Sequence, residues 1–334
     1  VNGVHAYVTK VIAAGDVIGL KLPETESQAE TEESQSTEPP IVIPPDLNLS
    51  IMDYQTLQNE LYEIGNGVNT SIVTVAALSA EERTLNPFEI DNQGFGVIVA
   101  EDDNYLYILT ERSVISDAEH IRVNFIDSSG AVAILLKYDG NTGLAVLTVE
   151  KSQLGIRTKQ AISVANIGSS EEINNGSIVI ALGSSLETKY SILTGNITSV
   201  QNEVATQDKN YLVFTTDIVA NENASGVLVN IEGEIIGIVM QSFGSSQNVN
   251  TLTGVEANEL KEMIDNLCNG KDVPYVGMYI STVTEEISEE YDIPKGVYIK
   301  DVAADSPAMH AGIQSGDVII KMNGKTVTSD EEVS

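Results

Sequence analysis

Nucleophilic, acid–base and metal chemistry draw on a short roster of side chains, and this chain of 334 residues is poor in several of them. It holds three histidines, His5, His120 and His310, and one cysteine, Cys268. A single cysteine excludes an internal disulfide framework and a cysteine-ligated zinc site. Cys268 falls on the apolar face of a helical pattern, where a buried thiol is expected rather than a nucleophile. Glu101-Asp102-Asp103-Asn104 lacks the spacing and turn glycine of a calcium loop and reads as a solvated hairpin tip. Asp139, in Tyr138-Asp139-Gly140-Asn141, reads as the cap of a turn. Neither a metal site nor a cofactor is expected. Serines are plentiful, but a serine hydroxyl is a poor nucleophile alone. A histidine must take its proton, and a carboxylate must hold that histidine in the right tautomer. Hydrolysis therefore depends on which side chains the fold brings to one serine.

The elements that would position such groups are mostly strands. Ser71–Ala77 reads as a strand. Up to about residue 250 follow GFGVIVA, YLYILT, IRVNFID, LAVLTV, SIVIALG, YLVFTT, GVLVNI and EIIGIVM, short β-rich runs split by Gly, Asn, Asp and Ser. Many short strands at near-regular spacing predict an all-β barrel or sandwich. Tyr54, Leu57, Leu61 and Ile64 predict a short amphipathic helix stopped at Gly65. Leu260, Met263, Ile264 and Leu267 predict a closing helix ending near Gly270. Pro274 opens a last segment with its own strands and turns.

Composition narrows the partners. Asp plus Glu number 49 against 17 Lys plus Arg, a formal net charge of −32. Nucleic acid and anionic lipid call for a cationic surface and are excluded as primary partners. With no Trp and 5% aromatics, stacking platforms for bases or sugars are not expected. No apolar run reaches the roughly 18–20 residues of a membrane-spanning helix. Residues 1–22 carry no clear pattern. Residues 23–49 hold ETESQAETEESQSTEPP, rich in Glu and without a base, so a disordered, proline-tipped linker is expected. The chain begins at Val1 rather than Met and stops at Ser334 in mid-pattern, which reads as a fragment cut at both ends.

The order and wording of the strands resemble the bacterial HtrA-type serine proteases. Gly94–Val99 resembles the family's GSGVII strand, and Tyr107–Thr110 its YILT strand leading to the histidine. Thr142–Leu147 resembles TDLAVL, which holds the aspartate. Gly183–Ser199 resembles the segment ending in GIVS. Thr216-Asp217 and Leu228–Gly233 bracket the nucleophile segment GNSGGPL. The resemblance implies a chymotrypsin-like double β-barrel over residues 50–270. It also implies that the triad is degenerate here. Ser113 stands in the histidine slot and Gly143 in the aspartate slot. The serine slot holds Ala224 when anchored on Leu228-Val229-Asn230, or Ser225 when anchored on Thr216-Asp217. The oxyanion-hole glycine is replaced by Glu222 or Asn223, and His120 lies too far along the chain to serve slot 113.

The last segment carries the most specific motif. Gly296–Val302, Asp305-Ser306-Pro307-Ala308 and Ala311–Ile319 resemble the family's PDZ signature, placing a PDZ domain at 274–334. Such domains add a peptide as an extra strand and hold its terminal carboxylate on backbone N–H groups. By that resemblance Val276, Gly277, Met278 and Ile280 line the peptide site, while the alternation serves a core equally well. The chain stops where the groove helix should begin, so an incomplete domain is expected. The expectation is thus a mainly β protein, double barrel then truncated PDZ, acting as a pseudoprotease that binds peptide or protein C-termini or unfolded segments. The alternatives are an endopeptidase with an atypical site at Ser225 and a structural, oligomerising envelope protein. Resemblance further implies a trimer and an extracytoplasmic place, with a membrane anchor upstream of residue 1.

Overall fold

The structure is a computed structural model and describes residues 49–78, 93–116, 118–184, 191–244, 250–304 and 306–333. The N-terminal stretch with His5, and the acidic linker up to residue 48, lie outside the described residues.

A helix, α1 (Ile51–Val68), opens the described chain. Ser50 caps it: the Asp53 N–H donates to the Ser50 hydroxyl, and the Asp53 carboxylate accepts from the Ser50 N–H at 2.7 Å. The expected stop at Gly65 is wrong, because the helix runs one turn past it. Gly65 is buried where α1 meets the barrel, and a Cβ there would fall 2.7 Å from Ile192 Cγ2. The glycine permits close approach; it does not end the helix. Only the second half packs, through Leu61, Ile64 and Val68, while Tyr54 and Leu57 remain exposed.

Two closed six-stranded antiparallel barrels follow, as expected of a double barrel. The first contains β1 (Ile72–Leu78), β2 (Gln93–Glu101), β3 (Tyr105–Glu111), β4 (His120–Asn124), β5 (Gly130–Tyr138) and β6 (Leu144–Glu150). A short helix, α2 (Ile156–Ala161), leads to the second. That barrel contains β7 (Ile178–Ser184), β8 (Ser191–Ala205), β9 (Asn210–Val219), β10 (Ser225–Val229), β11 (Ile235–Met240) and β12 (Thr251–Glu256). The sequence runs did not reveal β5, β8 or β12. β8 is largely polar and open to solvent, and β5 points Val132 and Ile134 outward, so neither shows a clean alternation.

Both faces of several strands are buried, which explains their continuous apolar runs. In β6, Ala145, Leu147 and Val149 fill the first barrel, while Leu144 and Val146 face the seam between barrels. In β10, Leu228 fills the second barrel and Val227 and Val229 face the seam. The predicted closing helix, α3 (Ala257–Cys268), lays Leu260, Met263, Ile264 and Leu267 onto that same seam cluster. Each such side chain, fully buried, contributes about 1.5–3 kcal/mol.

The C-terminal part is built on a three-stranded sheet of β13 (Met278–Val283), β14 (Gly296–Val302) and β15 (Val318–Ile319). Two short helices, α4 (Glu285–Tyr291) and α5 (Pro307–His310), and the hairpin β16 (Lys321–Met322) with β17 (Lys325–Thr326) complete it. Its core of Met278, Ile280, Val297, Ile299, Ala308 and Val327 is separate from the barrel clusters. Among the described residues no helix is long and apolar enough to cross a membrane.

Candidate functional site

The turns carrying slots 113 and 143 touch, since the Arg112 N–H donates to the Gly143 carbonyl at 2.7 Å. Ser113 sits exposed in a single 3-10 turn after β3, and its hydroxyl reaches the Glu111 carboxylate at 3.4 Å. Gly143 closes the loop before β6, with φ at +75° and its N–H bonded to the Asp139 carbonyl. Asp139 is buried and caps this turn, accepting from the Thr142 N–H and hydroxyl at 2.7 Å each. The turn-cap reading of Asp139 therefore holds.

Ala224 is buried in the core of the second barrel, and Ser225 begins β10 opposite Ser184 and Met240. Glu222 and Asn223 are exposed. The backbone N–H groups of this loop turn inward. Asn223 donates to its neighbour Asn221 Oδ1 at 3.1 Å, and Ala224 donates to the Asn221 carbonyl at 3.2 Å. Donors already engaged in a turn are not aimed at a developing oxyanion. His120 opens β4 opposite Leu78, and among the described residues no histidine side chain is hydrogen-bonded to a serine.

Glu111 shares a narrow crevice between the barrels with Phe95, Leu144 and Gly226. Burial raises its pKa above the ordinary glutamate value, opposed in part by the Ser113 hydroxyl. The folded chain thus binds a proton that the unfolded chain releases, and stability falls as pH rises from the unfolded pKa through the folded one. Glu111→Gln removes that loss. Its melting temperature should exceed that of the unsubstituted protein at pH 7 by a few degrees, and the difference should vanish below about pH 4. Thermal unfolding at the two pH values checks this.

Cys268 behaves as a structural thiol. Burial, with the Asp265 charge beside it, pushes its pKa up to about 11, leaving it protonated and unreactive at neutral pH. Asp102 folds the acidic hairpin tip by accepting from the Asn104 and Tyr105 N–H groups at 2.7 Å and from the Tyr107 hydroxyl at 2.8 Å. His310 is exposed at the end of α5.

The second constellation lies at the start of the C-terminal part. Gly277 holds φ at +87°, and its flanking carbonyls are fixed from α5 and the loop before it: Ala308 N–H bonds to Val276 and Ala303 N–H to Gly277, each at 2.9 Å. The N–H groups of Val276, Gly277 and Met278 then converge on one point. That point is the carboxylate of Asp208, at 2.7, 2.7 and 2.8 Å. The side chains of Met278 and Ile280 are core; of the four residues expected to line a peptide site, Val276, Gly277 and Met278 bring backbone N–H groups to this point, and Ile280 does not take part in that contact. Asp208 was not anticipated. In the sequence it is one polar residue in a turn between β8 and β9, and nothing local links it to residues 276–278.

A cleft of about 1230 Å³ lies at this junction, between β5, the β8–β9 hairpin, α3 and residues 272–276. Asp139, Glu203, Glu259, Glu262, Asp272 and Glu331 make its lining acidic. Among the described residues no cluster of three or more His, Cys, Asp or Glu is arranged to hold a metal.

The family description "Trypsin-like peptidase domain" matches residues 94–238, and "PDZ domain" matches 298–334. The chain is 31% identical over 261 residues to "Probable periplasmic serine endoprotease DegP-like" of Hahella chejuensis, covering 75% of this chain and 52% of that protein. It is 31% identical over 257 residues to "Serine protease Do-like HtrB" of Bacillus subtilis, covering 71% and 54%. The chain thus spans about half the length of the curated relatives it matches. The solved structure "HtrA-type protease AlgW with tripeptide" superposes with a TM-score of 0.58 over 82% of this chain and 86% of that one, at 21% identity, a likeness of fold. Two closed barrels, a C-terminal PDZ domain and this homology place the chain in the HtrA/DegP serine protease family.

Proposed function

We propose that this HtrA-type protein is a pseudoprotease. In this reading its trypsin-like double barrel no longer cleaves peptide bonds, and its PDZ domain reads peptide or protein C-termini. Ser113 and Gly143 take the slots of base and orienting carboxylate in this reading, Ala224 or Ser225 takes that of the nucleophile, and among the described residues no histidine side chain is hydrogen-bonded to a serine. The observation that carries the reading is the nucleophile loop. The Ala224 methyl is packed in the barrel core, and the Asn223 and Ala224 N–H groups are spent on Asn221. Loss of the general base alone costs several orders of magnitude in rate, and a misdirected oxyanion hole compounds it. The three converging N–H groups at 276–278 support the carboxylate-reading half. An extracytoplasmic location accords with the periplasmic relatives, with a membrane anchor upstream of residue 1 as part of the same proposal.

The test is labelling with a serine-directed fluorophosphonate, read by intact mass, with casein digestion alongside. The expected result is no adduct and intact casein over hours. An adduct that disappears in Ser225→Ala would establish a working nucleophile and reject the pseudoprotease reading.

A further inference from the structure

The carboxylate loop is already engaged, and by the chain's own barrel. Asp208 stands at the tip of the β8–β9 hairpin with φ at +63°. Its carboxylate accepts three consecutive backbone N–H groups, from Val276, Gly277 and Met278. Its own N–H donates to the Met278 carbonyl at 2.5 Å. One residue back, Gln207 forms an antiparallel bridge with Tyr279, and its side-chain amide donates to the Tyr279 hydroxyl at 3.2 Å. A carboxylate on a nest of amides, next to a segment paired antiparallel with the groove strand, is the pattern of a captured peptide terminus.

We propose that Asp208 is a built-in ligand of the PDZ carboxylate loop, standing in for a peptide's terminal residue, so that a peptide C-terminus binds only by displacing the β8–β9 hairpin tip. The displacement half rests on the reading of the PDZ domain as a C-terminus reader. The three donors can serve one carboxylate at a time, and charge-assisted bonds of this kind are the strong ones. The tip is held ready for its role. Asn141 donates its side-chain amide to the Gln207 carbonyl at 2.6 Å and to the Thr206 hydroxyl at 2.9 Å. Asn141 belongs to the turn that carries Gly143, so displacing the tip pulls on the loop of the aspartate slot. An internal ligand is present at high effective concentration, and the apparent affinity of any competitor is reduced by the fraction of loops it leaves open.

Two readouts on the whole chain test this. The first is hydrogen exchange without added peptide. In Asp208→Ala, protection of the Val276, Gly277 and Met278 amides should fall at least tenfold while β1 is unchanged, with Asp208→Asn intermediate. Unchanged protection overturns the proposal. The second is binding of fluorescent ten-residue peptides with free terminal valine, leucine or phenylalanine, and of their C-terminally amidated counterparts. The free acids should bind Asp208→Ala at least tenfold more tightly than the unsubstituted protein, and the amides should gain nothing. Equal affinity for both proteins overturns the displacement while leaving the C-terminus reading intact. Lost protection with no binding to either protein overturns the reading and the displacement together, and leaves Asp208 as the loop's occupant. Asp208→Asn keeps the shape of the tip, so a folding defect confined to the alanine variant is recognised by its melting curve.

Discussion

Phe214→Ala should lose about 3–5 kcal/mol of unfolding free energy, the expected range for emptying a fully buried aromatic site. Phe214 is completely buried in the second barrel, among Val179, Leu228, Ile236 and Leu252. Its ring fills the space above two glycines: a Cβ at Gly237 would fall 2.7 Å from Cζ, and one at Gly254 3.1 Å from it. The two positions that face the ring therefore carry no side chain that could swing in to refill the cavity. Such a site collapses poorly, which places the cost toward the upper part of the range. Denaturant unfolding monitored by far-ultraviolet circular dichroism measures it. A cost below about 1.5 kcal/mol, the scale of a volume-conserving core exchange, would mean that the barrel repacks or that the ring is not where the structure puts it.

Gly277→Ala should disable the carboxylate loop without unfolding the barrels. Two effects act together at this position. A non-glycine residue at φ +87° costs about 1–3 kcal/mol, and the added Cβ would fall 2.3 Å from the Cβ of Ser306. Ser306 cannot easily yield, because it is buried and caps α5, accepting the Met309 N–H at 3.2 Å. The loop must move instead, and the three donors lose their common focus. Peptides with free C-termini should bind at least about tenfold more weakly, and the Val276–Met278 amides should lose protection from exchange. The barrel melting transition should remain, since the PDZ core shares no residue with the barrel clusters. Retained protection at these three amides would contradict the described loop geometry.

Taken with the Asp208 contact, Gly277→Ala and Asp208→Ala form an informative pair. Both expose the loop amides, but only the first removes the site. Peptide affinity should therefore move in opposite directions in the two variants. A common defect of folding would move it the same way in both.

Much of the architecture was legible in the residues themselves. Runs such as Leu144–Leu147 and Val227–Val229 announce strands buried on both faces, because period-two alternation with an apolar residue on each side leaves no polar position. The spacing of Leu260, Met263, Ile264 and Leu267 announces α3 for the same reason at helical period. Neighbouring wording suggests Ser113 and Gly143 as candidate triad slots and leaves the third open between Ala224 and Ser225, while the turn role of Asp139 followed from its flanking residues. Local patterns were silent or misleading where the deciding partner is remote. Gly65 looked like a helix stop, and only the approach of Ile192 explains its presence inside α1. The polar β8 showed no alternation because its pairing with β7 and β9, not its own pattern, makes it a strand.

By itself, then, the sequence determined the mainly β class, the double-barrel and PDZ order and the acidic character, all of which can be read without knowing which remote segments meet. Only the tertiary structure decided that the loop N–H groups at 223 and 224 turn inward, that Glu111 is desolvated between the barrels, and that Asp208 fills the carboxylate loop. Asp208 and its three donors are 68 to 70 residues apart, on the barrel and the PDZ domain. Their meeting depends on how two separately cored units are set against each other, and no local spacing encodes that.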